Sequence, residues 1–454
     1  MSSQKATFLD GIHIPPNKSL TDGLKITKCA APDFVYLPLS MHIGAPAQPI
    51  VKLGDKVKMG QVIATAGGFV SSNIHASVSG LVTGFQKRYL PNGMTSNCIV
   101  IKNDGLDTLS EEIVPRNESE ITPDLIRKQL QEKGIVGMGG ATFPTHVKYA
   151  PPKDCPAIDT IILNGIECEP YVTSDHRVLL EYPSEIIQGL KYFMLASGAK
   201  KGIIAIEDNK PDAIALMSKL VENEPGIEVL TCAEKYPQGS EKQLVYASTG
   251  RTVPDRGLPA AVGVVVDNVA TAVAAARAIK DNMPLIERVV TVSGNAVNNP
   301  GNYLVRLGTL YSDLVEKAAQ GYKGDLARII SGGPMMGFAV NSLDFPIIKG
   351  SGSLLLFNYD SPFAHVPQEQ TCVRCGHCVD ACPMFLEPTV IVQAVKQRNW
   401  DSAASSSIHA CIECGSCAFE CPAHIPLVQY IRMGKQFIGG KGEGGCNPFY
   451  VIKK

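Results

Sequence analysis

The sequence predicts a multidomain protein of mixed α/β and α+β class, with a β-rich domain, an α/β domain, a small α+β unit and a short helical domain. Three observations support this class. Short strands punctuated by glycine fill residues 34–86, strand and helix patterns alternate over residues 118–285, and eight of the fourteen cysteines lie between residues 372 and 421. A chain of 454 residues should form roughly three or more domains. The predicted boundaries are 1–117, 118–285, 286–357 and 358–440, with a tail over 441–454.

The composition excludes several classes of protein. Forty-two basic and forty-three acidic residues leave a net charge of −1, without the basic stripe of a nucleic-acid-binding protein. Apolar residues make up 45% and charged residues 19%, as in packed globular domains. The most apolar stretch, residues 258–279, is interrupted by Asp267, Asn268 and Arg277, so no membrane span is predicted. The first sixteen residues lack a signal-peptide pattern, so we expect the chain in the cytoplasm, where thiols stay reduced.

The sequence of the N-terminal domain predicts short paired strands. Residues 51–57 alternate apolar and polar side chains before a glycine turn into the next strand, and a second hairpin-like unit follows at residues 74–82. This pattern resembles the barrel-sandwich domains of biotinyl and lipoyl carriers, which modify a lysine between their two halves. No lysine lies between Lys58 and Lys87, so a carrier function is disfavoured. We expect a structural or docking module.

The two central domains differ in pattern. Thr122-Pro123 is typical of a helix start, apolar runs at 159–164 and 202–206 are typical of buried parallel strands, and an alanine-rich helix is predicted over 268–278. After residue 286 the order changes to strand, turn, strand, a helix over 312–320 and a further strand. This order predicts an α/β domain followed by a β-grasp-like unit.

The cysteine array has a duplicated spacing, C-x2-C-x2-C-x3-C-P. The first run is Cys372, Cys375, Cys378 and Cys382, and the second is Cys411, Cys414, Cys417 and Cys421. In this bacterial ferredoxin pattern, the first three cysteines of a run bind one 4Fe–4S cluster and the fourth binds the other. We therefore expect Cys421 to join the first three of run one, and Cys382 to join the first three of run two. A zinc site is the alternative, but zinc favours paired C-x2-C knuckles around one tetrahedral centre.

Three segments of the α/β domain contain residues suited to a phosphate or a planar ring. Residues 137–144 cluster glycines around Phe143, although they lack the full G-x-G-x-x-G fingerprint of a Rossmann site. Residues 164–170 follow a buried strand, at the edge where open α/β sheets bind ligands. The third segment is residues 236–242, joined by residues 267–271. Taken singly, each of the first two segments is more typical of an ordinary turn.

Together these segments resemble the flavin-bearing, NADH-oxidising subunit of respiratory complex I. There, a G-x-G-G-A-x-F-P loop, an N-x-x-E-x-E-P strand end, a G-x-E loop and an N-V-x-T helix start surround FMN and NADH. The resemblance implies that Gly137, Gly139, Gly140, Ala141 and Lys148 hold FMN, that Phe143 and Glu169 face the nicotinamide nucleotide, and that Asn164, Glu167, Gly239, Glu241, Asn268 and Thr271 complete the pocket. The chain departs from the pattern at Met138, usually arginine, and at Ile166, usually acidic.

The order of motifs along nearly the full chain resembles the RnfC family, the C-type component of the Rnf ion-translocating electron transport complex, more closely still. Added to the motifs above are H-I-G-A-P at residues 42–46 and H-A-S-V-S-G at residues 75–80. This resemblance implies a peripheral subunit on the cytoplasmic face of the cell membrane, partnered by other subunits of the complex. Such a subunit would exchange electrons between NAD(H) and, indirectly, ferredoxin, while its partners move Na⁺ or H⁺.

The expected chemistry follows from electron counting. A hydride delivers two electrons and each cubane accepts one, so a flavin is needed between them, and no catalytic side chain is expected. Glu167 and Glu169 would act by orientation and charge. A soluble flavin/iron–sulfur reductase, such as the cobalamin reductases, is an alternative, although residues 8–82 fit the Rnf family better. A non-catalytic electron wire with a vestigial flavin pocket is a second alternative, favoured by Met138 and Ile166.

Overall fold

The structure is a computed structural model that describes residues 5–151 and 154–439. It confirms the predicted class. A β barrel-sandwich-like domain, an α/β domain, a β-grasp-like unit and a helical domain with the cysteine array follow one another. The predicted tail over 441–454, and residue 440 before it, lie outside the described residues.

The N-terminal domain consists of two small sheets. Their order is β2-β8-β7-β4 in one and β3-β5-β6 in the other. The predicted hairpin-like units are wrong, because β4 and β5, and likewise β6 and β7, belong to different sheets. The chain crosses between the sheets at Gly60 and Gly80, which places the fully buried Ile63, Ile74 and Val82 in one shared core. The strands are β1 Ile26–Lys28, β2 Phe34–Pro38, β3 Gln48–Pro49, β4 Lys56–Val57, β5 Val62–Thr65, β6 Ile74–His75, β7 Gly80–Tyr89 and β8 Thr95–Asn103.

The α/β domain has a four-stranded parallel sheet of order β11-β10-β9-β12. Ile161 and Leu163 of β9 pack on one face, whereas Ile162 packs with Leu244 on the other, which explains why the strand sequences are continuous apolar runs. The Thr122 hydroxyl accepts a hydrogen bond from the amide of Leu125 at 3.2 Å, as its predicted capping role requires. The elements are α1 Pro123–Glu132, α2 Thr145–Lys148, β9 Thr160–Gly165, α3 Ser174–Glu181, α4 Pro183–Ser197, β10 Lys201–Glu207, α5 Pro211–Val221, β11 Ile227–Cys232, α6 Glu241–Thr249, β12 Val264–Asn268 and α7 Val269–Lys280.

The third domain is built on a six-stranded sheet of order β1-β14-β13-β17-β15-β16. The helix predicted over 312–320 ends earlier, because Gln320 turns the chain with a φ of 56°. Its elements are β13 Glu287–Ser293, β14 Gly301–Arg306, α8 Tyr311–Lys317, β15 Leu326–Ser331, β16 Phe338–Val340 and β17 Ser353–Asn358.

The described residues before β2, from residue 5 onward, form an arm that extends away from the N-terminal domain. The predicted boundaries had included them in that domain. Residues 5–24 cross the α/β domain, where Ile12 and Tyr236 exchange two backbone hydrogen bonds of 2.8 Å each. The arm then continues into β1, which pairs in parallel with β14 of the third domain. This arm therefore connects three domains.

The helical domain contains two copies of one structural unit, one for each cysteine run. Each cysteine run begins a loop, continues into a one-turn helix and ends before a longer helix that packs on its counterpart. The helices are α9 His377–Asp380, α10 Pro388–Lys396, α11 Trp400–Ser405, α12 Ser416–Phe419 and α13 Leu427–Ile438. Across the described residues, no helix combines the length and the apolar character needed to cross a bilayer.

The close packing of α4 on α7 gives a stability prediction. A Cβ added at Gly189 would lie 2.1 Å from the carbonyl oxygen of Ala272, so the two helices must separate. We expect Gly189→Ala to destabilise the protein by about 1–3 kcal/mol through overpacking, which outweighs the roughly 1 kcal/mol gain in helix propensity. Thermal unfolding measures the effect, with Gly23→Ala as control because no atom lies within 4 Å of that added carbon. Equal unfolding midpoints for the two variants would contradict the packing of α4 on α7.

Candidate functional site

The structure brings the eight cysteines together in the two predicted sets. The thiols that act electrostatically on Cys378 are Cys421, Cys375 and Cys372. Those that act most strongly on Cys417 are Cys411, Cys414 and Cys382. The fourth cysteine of each run thus lies with the first three of the other run.

The second set lines an apolar cavity suited to a cubane cluster. Its four cysteines share the cavity wall with hydrophobic side chains that include Leu386, Ile391, Ile412, Val428 and Ile431. Backbone amides also point at the sulfurs, since Glu413 donates to Cys411 Sγ at 3.3 Å and Leu386 donates to Cys382 Sγ at 3.4 Å. Such N–H···S contacts stabilise thiolate ligands and help to set cluster potentials.

The two ligand loops share an unusual backbone conformation. Arg374 and Glu413 occupy equivalent places with φ of 56° and 59°, and Gly376 and Gly415 follow with φ of 87° and 89°. In the first loop the amide of Arg374 donates to Cys372 Sγ at 3.4 Å. Residues with φ in the left-handed region bend the backbone sharply, so that a short loop can surround a bound group. Both loops therefore fit the same kind of group.

The two sets differ in their access to solvent. The first set contains the exposed Cys375 and one buried cysteine, Cys378, whereas Cys382, Cys414 and Cys417 of the second set are buried. Burial raises the pKa of Cys411 to about 11, so that thiol ionises readily only where bound cations compensate its charge. The second set is the inner one and the first set is the outer one.

The glycine loop of the α/β domain, residues 137–144, lies against the start of α7. Gly137 donates to the carbonyl of Phe143 at 2.9 Å, and Met138 donates to the hydroxyl of Thr271 at 2.9 Å. A Cβ at Gly139 would lie 3.5 Å from Asn268, in ordinary van der Waals contact with the residue that caps α7. Such an open backbone suits close approach by a phosphate or a ring.

Lys148 is held beside the same helix start by the buried carboxylate of Asp267. Its ammonium donates to Asp267 Oδ1 at 3.0 Å and to the carbonyl of Val266 at 2.5 Å. Burial alone would lower the pKa of Lys148, but Asp267 and Glu241 outweigh burial and raise it. Lys148 therefore stays cationic and can attract an anionic ligand. Asp267 was not among the predicted site residues.

The strand-end loop, residues 164–172, is fixed by its own polar side chains. Asn164 Nδ2 donates to the carbonyl of Gly239 at 2.8 Å, which joins the second and third predicted segments. Glu167 accepts hydrogen bonds from the amides of Asp175 and His176 at 2.6 and 3.2 Å, so its carboxylate caps the N-terminus of α3. The structure thus engages the Glu167 carboxylate at the start of α3.

Glu169 is engaged by the third domain. Its two carboxylate oxygens accept hydrogen bonds from the amides of Met335 and Met336 at 3.0 and 2.8 Å. Burial raises the pKa of Glu169 to about 7, and the two amide bonds oppose that rise. Gly333 is required beside it, because an added Cβ would lie 2.2 Å from Oε2 of Glu169. No sequence pattern linked these distant segments.

Asp175 is a further, partly buried acid that was not among the predicted site residues. Its Oδ2 accepts a hydrogen bond from Asn268 Nδ2 at 2.6 Å. Burial, followed by the negative charge of Glu167, raises the pKa of Asp175 to about 7. The sequence feature that could have identified Asp175 is its position in the first turn of α3, shortly after the E-x-E-P motif.

The third predicted segment also contacts the inner cysteine set. The hydroxyl of Tyr236 donates to the carbonyl of Cys414 at 2.7 Å in a buried contact. Gln243, the residue that follows this segment, donates through Nε2 to the carbonyl of Pro383 at 3.0 Å, and Pro383 directly follows Cys382. The same short segment therefore carries Gly239 and Glu241 on one side and supports the inner cysteine set on the other.

Comparison with protein families assigns each domain. The RnfC barrel sandwich hybrid domain matches residues 6–106, and the Nuo51 FMN-binding domain matches residues 130–277. The SLBB domain matches residues 289–339, and a 4Fe-4S dicluster domain matches residues 371–426. The fold and its two sites define an electron-transport flavoprotein with FMN and iron–sulfur clusters as cofactors.

Curated relatives resemble the chain over most of its length. The RnfC-type component of the Na(+)-translocating ferredoxin:NAD(+) oxidoreductase complex of Acetobacterium woodii is 42% identical over 96% of this chain and 98% of its own. The proton-translocating counterpart of Clostridium ljungdahlii is 45% identical over 85% of this chain and 83% of its own. The chain belongs to the RnfC family of ion-translocating ferredoxin:NAD⁺ oxidoreductase complexes.

A more distant likeness is found among solved structures. A chain of an NAD⁺-reducing NiFe hydrogenase aligns with 20% identity and a TM-score of 0.50 over 72% of this chain and 66% of its own. At this identity the likeness shows a shared fold and no more.

The environment of Glu169 gives a pH prediction. Because its pKa in the folded chain, about 7, lies above the ordinary value of 4.5, the native state binds the proton more tightly than the unfolded state. The contribution of Glu169 protonation to the free energy of unfolding is fully present below about pH 4.5. It is lost as the pH rises through about 7. We expect Glu169→Gln to flatten the decline of thermal stability between those pH values. Parallel pH–stability curves for the two proteins would show that Glu169 has an ordinary pKa.

Proposed function

We propose that this chain is the peripheral subunit at which NAD(H) exchanges electrons with the other subunits of a membrane complex, on its cytoplasmic face. The complex would couple ferredoxin:NAD⁺ oxidoreduction to the translocation of Na⁺ or H⁺, as the names of the relatives state for their own complexes. Ferredoxin would act through the partner subunits. The FMN-binding and dicluster domains support this role.

The observation that carries the proposal is the contact of residues 236–243 with both sites. Within eight residues the chain supports Gly239 and Glu241 of the proposed flavin pocket and hydrogen-bonds both ligand loops of the inner set, at Cys414 and Pro383. Electron transfer requires short distances between redox centres. A separate ferredoxin-like domain on a flexible linker would not give that proximity.

The proposed pocket is formed by residues with distinct tasks. Bound FMN would supply the conversion between a hydride and single electrons, which no side chain can perform. Gly137, Gly139, Gly140 and Ala141 would give backbone access, and Lys148 would supply positive charge. Phe143 and Glu169 would face the nucleotide, and Asn164, Glu167, Gly239, Glu241, Asn268 and Thr271 would complete the pocket.

The cysteine sets would hold the two 4Fe–4S clusters in a defined order. Cys382, Cys411, Cys414 and Cys417 would hold the inner cluster beside the flavin pocket. Cys372, Cys375, Cys378 and Cys421 would hold the outer cluster. Because Cys375 is exposed, we place the partner subunits on the outer side of this domain.

The two departures from the complex I pattern do not favour an electron-wire function. Ile166 is fully buried in the core beneath β9, and Met138 is buried with its amide bonded to Thr271. Both side chains therefore pack inward. The charged residues that would serve a pocket, Lys148 and Glu241, are retained.

The proposal is tested on the purified chain after anaerobic reconstitution with iron, sulfide and FMN. We expect one flavin to be retained after desalting and to bleach when NADH is added. A chain that retains clusters but no flavin, and is unaffected by NADH, would contradict a role in NAD(H) oxidoreduction.

Glu169 gives the sharpest variant for nucleotide binding. We expect Glu169→Gln to raise the KM for NADH about tenfold, or about 1.4 kcal/mol, with kcat for ferricyanide reduction changed much less, because the carboxylate orients the nucleotide and transfers no proton. Glu224→Gln is the control, since Glu224 forms an ion pair with Lys191 away from the pocket. An unchanged KM in Glu169→Gln would remove Glu169 from the nucleotide site.

A further inference from the structure

A buried ammonium group from the N-terminal arm holds the strand-end loop. Lys18 is 9% exposed, and its Nζ donates to the carbonyl oxygens of Glu167, Glu169 and Val172 at 2.8, 2.9 and 2.5 Å. An ammonium has three N–H donors, so one loop takes all of them. Burial lowers the pKa of Lys18, and the nearby Glu167 opposes that effect.

The loop needs such support because its backbone is strained. Glu167 and Tyr171 adopt φ of 52° and 66°, in the left-handed region that residues other than glycine rarely occupy. The arm adds two further contacts: the amide of Tyr171 donates to the carbonyl of Pro16 at 2.8 Å, and the hydroxyls of Thr21 and Thr173 lie 2.7 Å apart. The arm therefore runs along the whole loop.

We propose that Lys18 is a positioning residue for the flavin and nucleotide site, acting through the loop of residues 167–172. This inference rests on the proposed function. By fixing the carbonyls at Glu167 and Glu169, Lys18 sets where the two side chains leave the backbone. Those side chains then reach α3 and the loop of Met335 and Met336.

The origin of Lys18 makes this role distinct from the flavin domain itself. The FMN-binding domain match begins at residue 130, whereas Lys18 lies in the segment that matches the RnfC barrel sandwich hybrid domain. A part of the chain outside the flavin domain thus completes that domain's site. Its tetrahedral ammonium suits three converging carbonyls, which the planar fork of arginine matches poorly.

The test compares Lys18→Met with Lys235→Met in the full chain. Lys235 donates to the carbonyl of Phe8 at 3.1 Å, so it anchors the same arm without touching the loop. Hydrogen exchange should become at least tenfold faster at the amides of residues 167–176 in Lys18→Met and remain unchanged there in Lys235→Met. This readout requires no bound cofactor.

Steady-state and flavin-binding measurements complete the test. In reconstituted Lys18→Met we expect the KM for NADH to rise about tenfold and flavin to bind more weakly, with a smaller change in kcat, and Lys18→Arg should recover part of the loss. If Lys18→Met folds and has the hydrogen-exchange rates, the KM for NADH and the flavin affinity of the wild type, the inference is overturned. The proposed function would remain intact. If Lys18→Met does not fold, wild-type KM and exchange in Lys18→Arg overturn it. Wild-type protein that binds no flavin overturns both proposals.

Discussion

The hydrogen bond from the Tyr236 hydroxyl to the carbonyl of Cys414 joins two domains that differ in almost every other respect. One is a parallel α/β sheet and the other a pair of short helical repeats, and the chain between them runs through an entire third domain. Ile12 of the arm, Tyr236, Ala381 and Cys414 form a small apolar cluster around that bond, which keeps water from the junction. The proposed path of electrons depends on this contact, because an electron passes efficiently only between centres that are held close together.

A second constraint is the burial of charge near the strand-end loop. Lys18 is buried, and Lys148, Glu169 and Asp175 are partly buried, yet each has hydrogen-bonding or charged partners from another part of the chain. Buried charges of this kind are costly unless they are paired, so removing one partner is more damaging than its single contact implies. The arm, the α/β domain and the third domain therefore depend on one another. This arrangement explains how three parts of the chain could together form the proposed site.

The sequence predicts those features that are encoded locally. The duplicated cysteine spacing leads to the two sets that the structure brings together, and the glycine and E-x-E-P motifs lead to loops that meet at Asn164 and Gly239. Contacts between distant segments leave no periodic signal, so Lys18 and the amides that bind Glu169 could not be foreseen. The hairpin prediction failed for a related reason. Alternation of apolar and polar residues shows which side of a strand is buried, but it does not show which of two sheets the strand joins.

In the proposed function, this chain alone contains a working path between NAD(H) and its clusters. The most direct test of this path is stopped-flow mixing of the reconstituted chain with NADH, combined with rapid-freeze EPR of the same samples. We expect flavin bleaching to be followed, within the same turnover, by the EPR signals of reduced 4Fe–4S clusters. Flavin that bleaches fully while the clusters stay oxidised would show that the junction at Tyr236 does not connect the two sites.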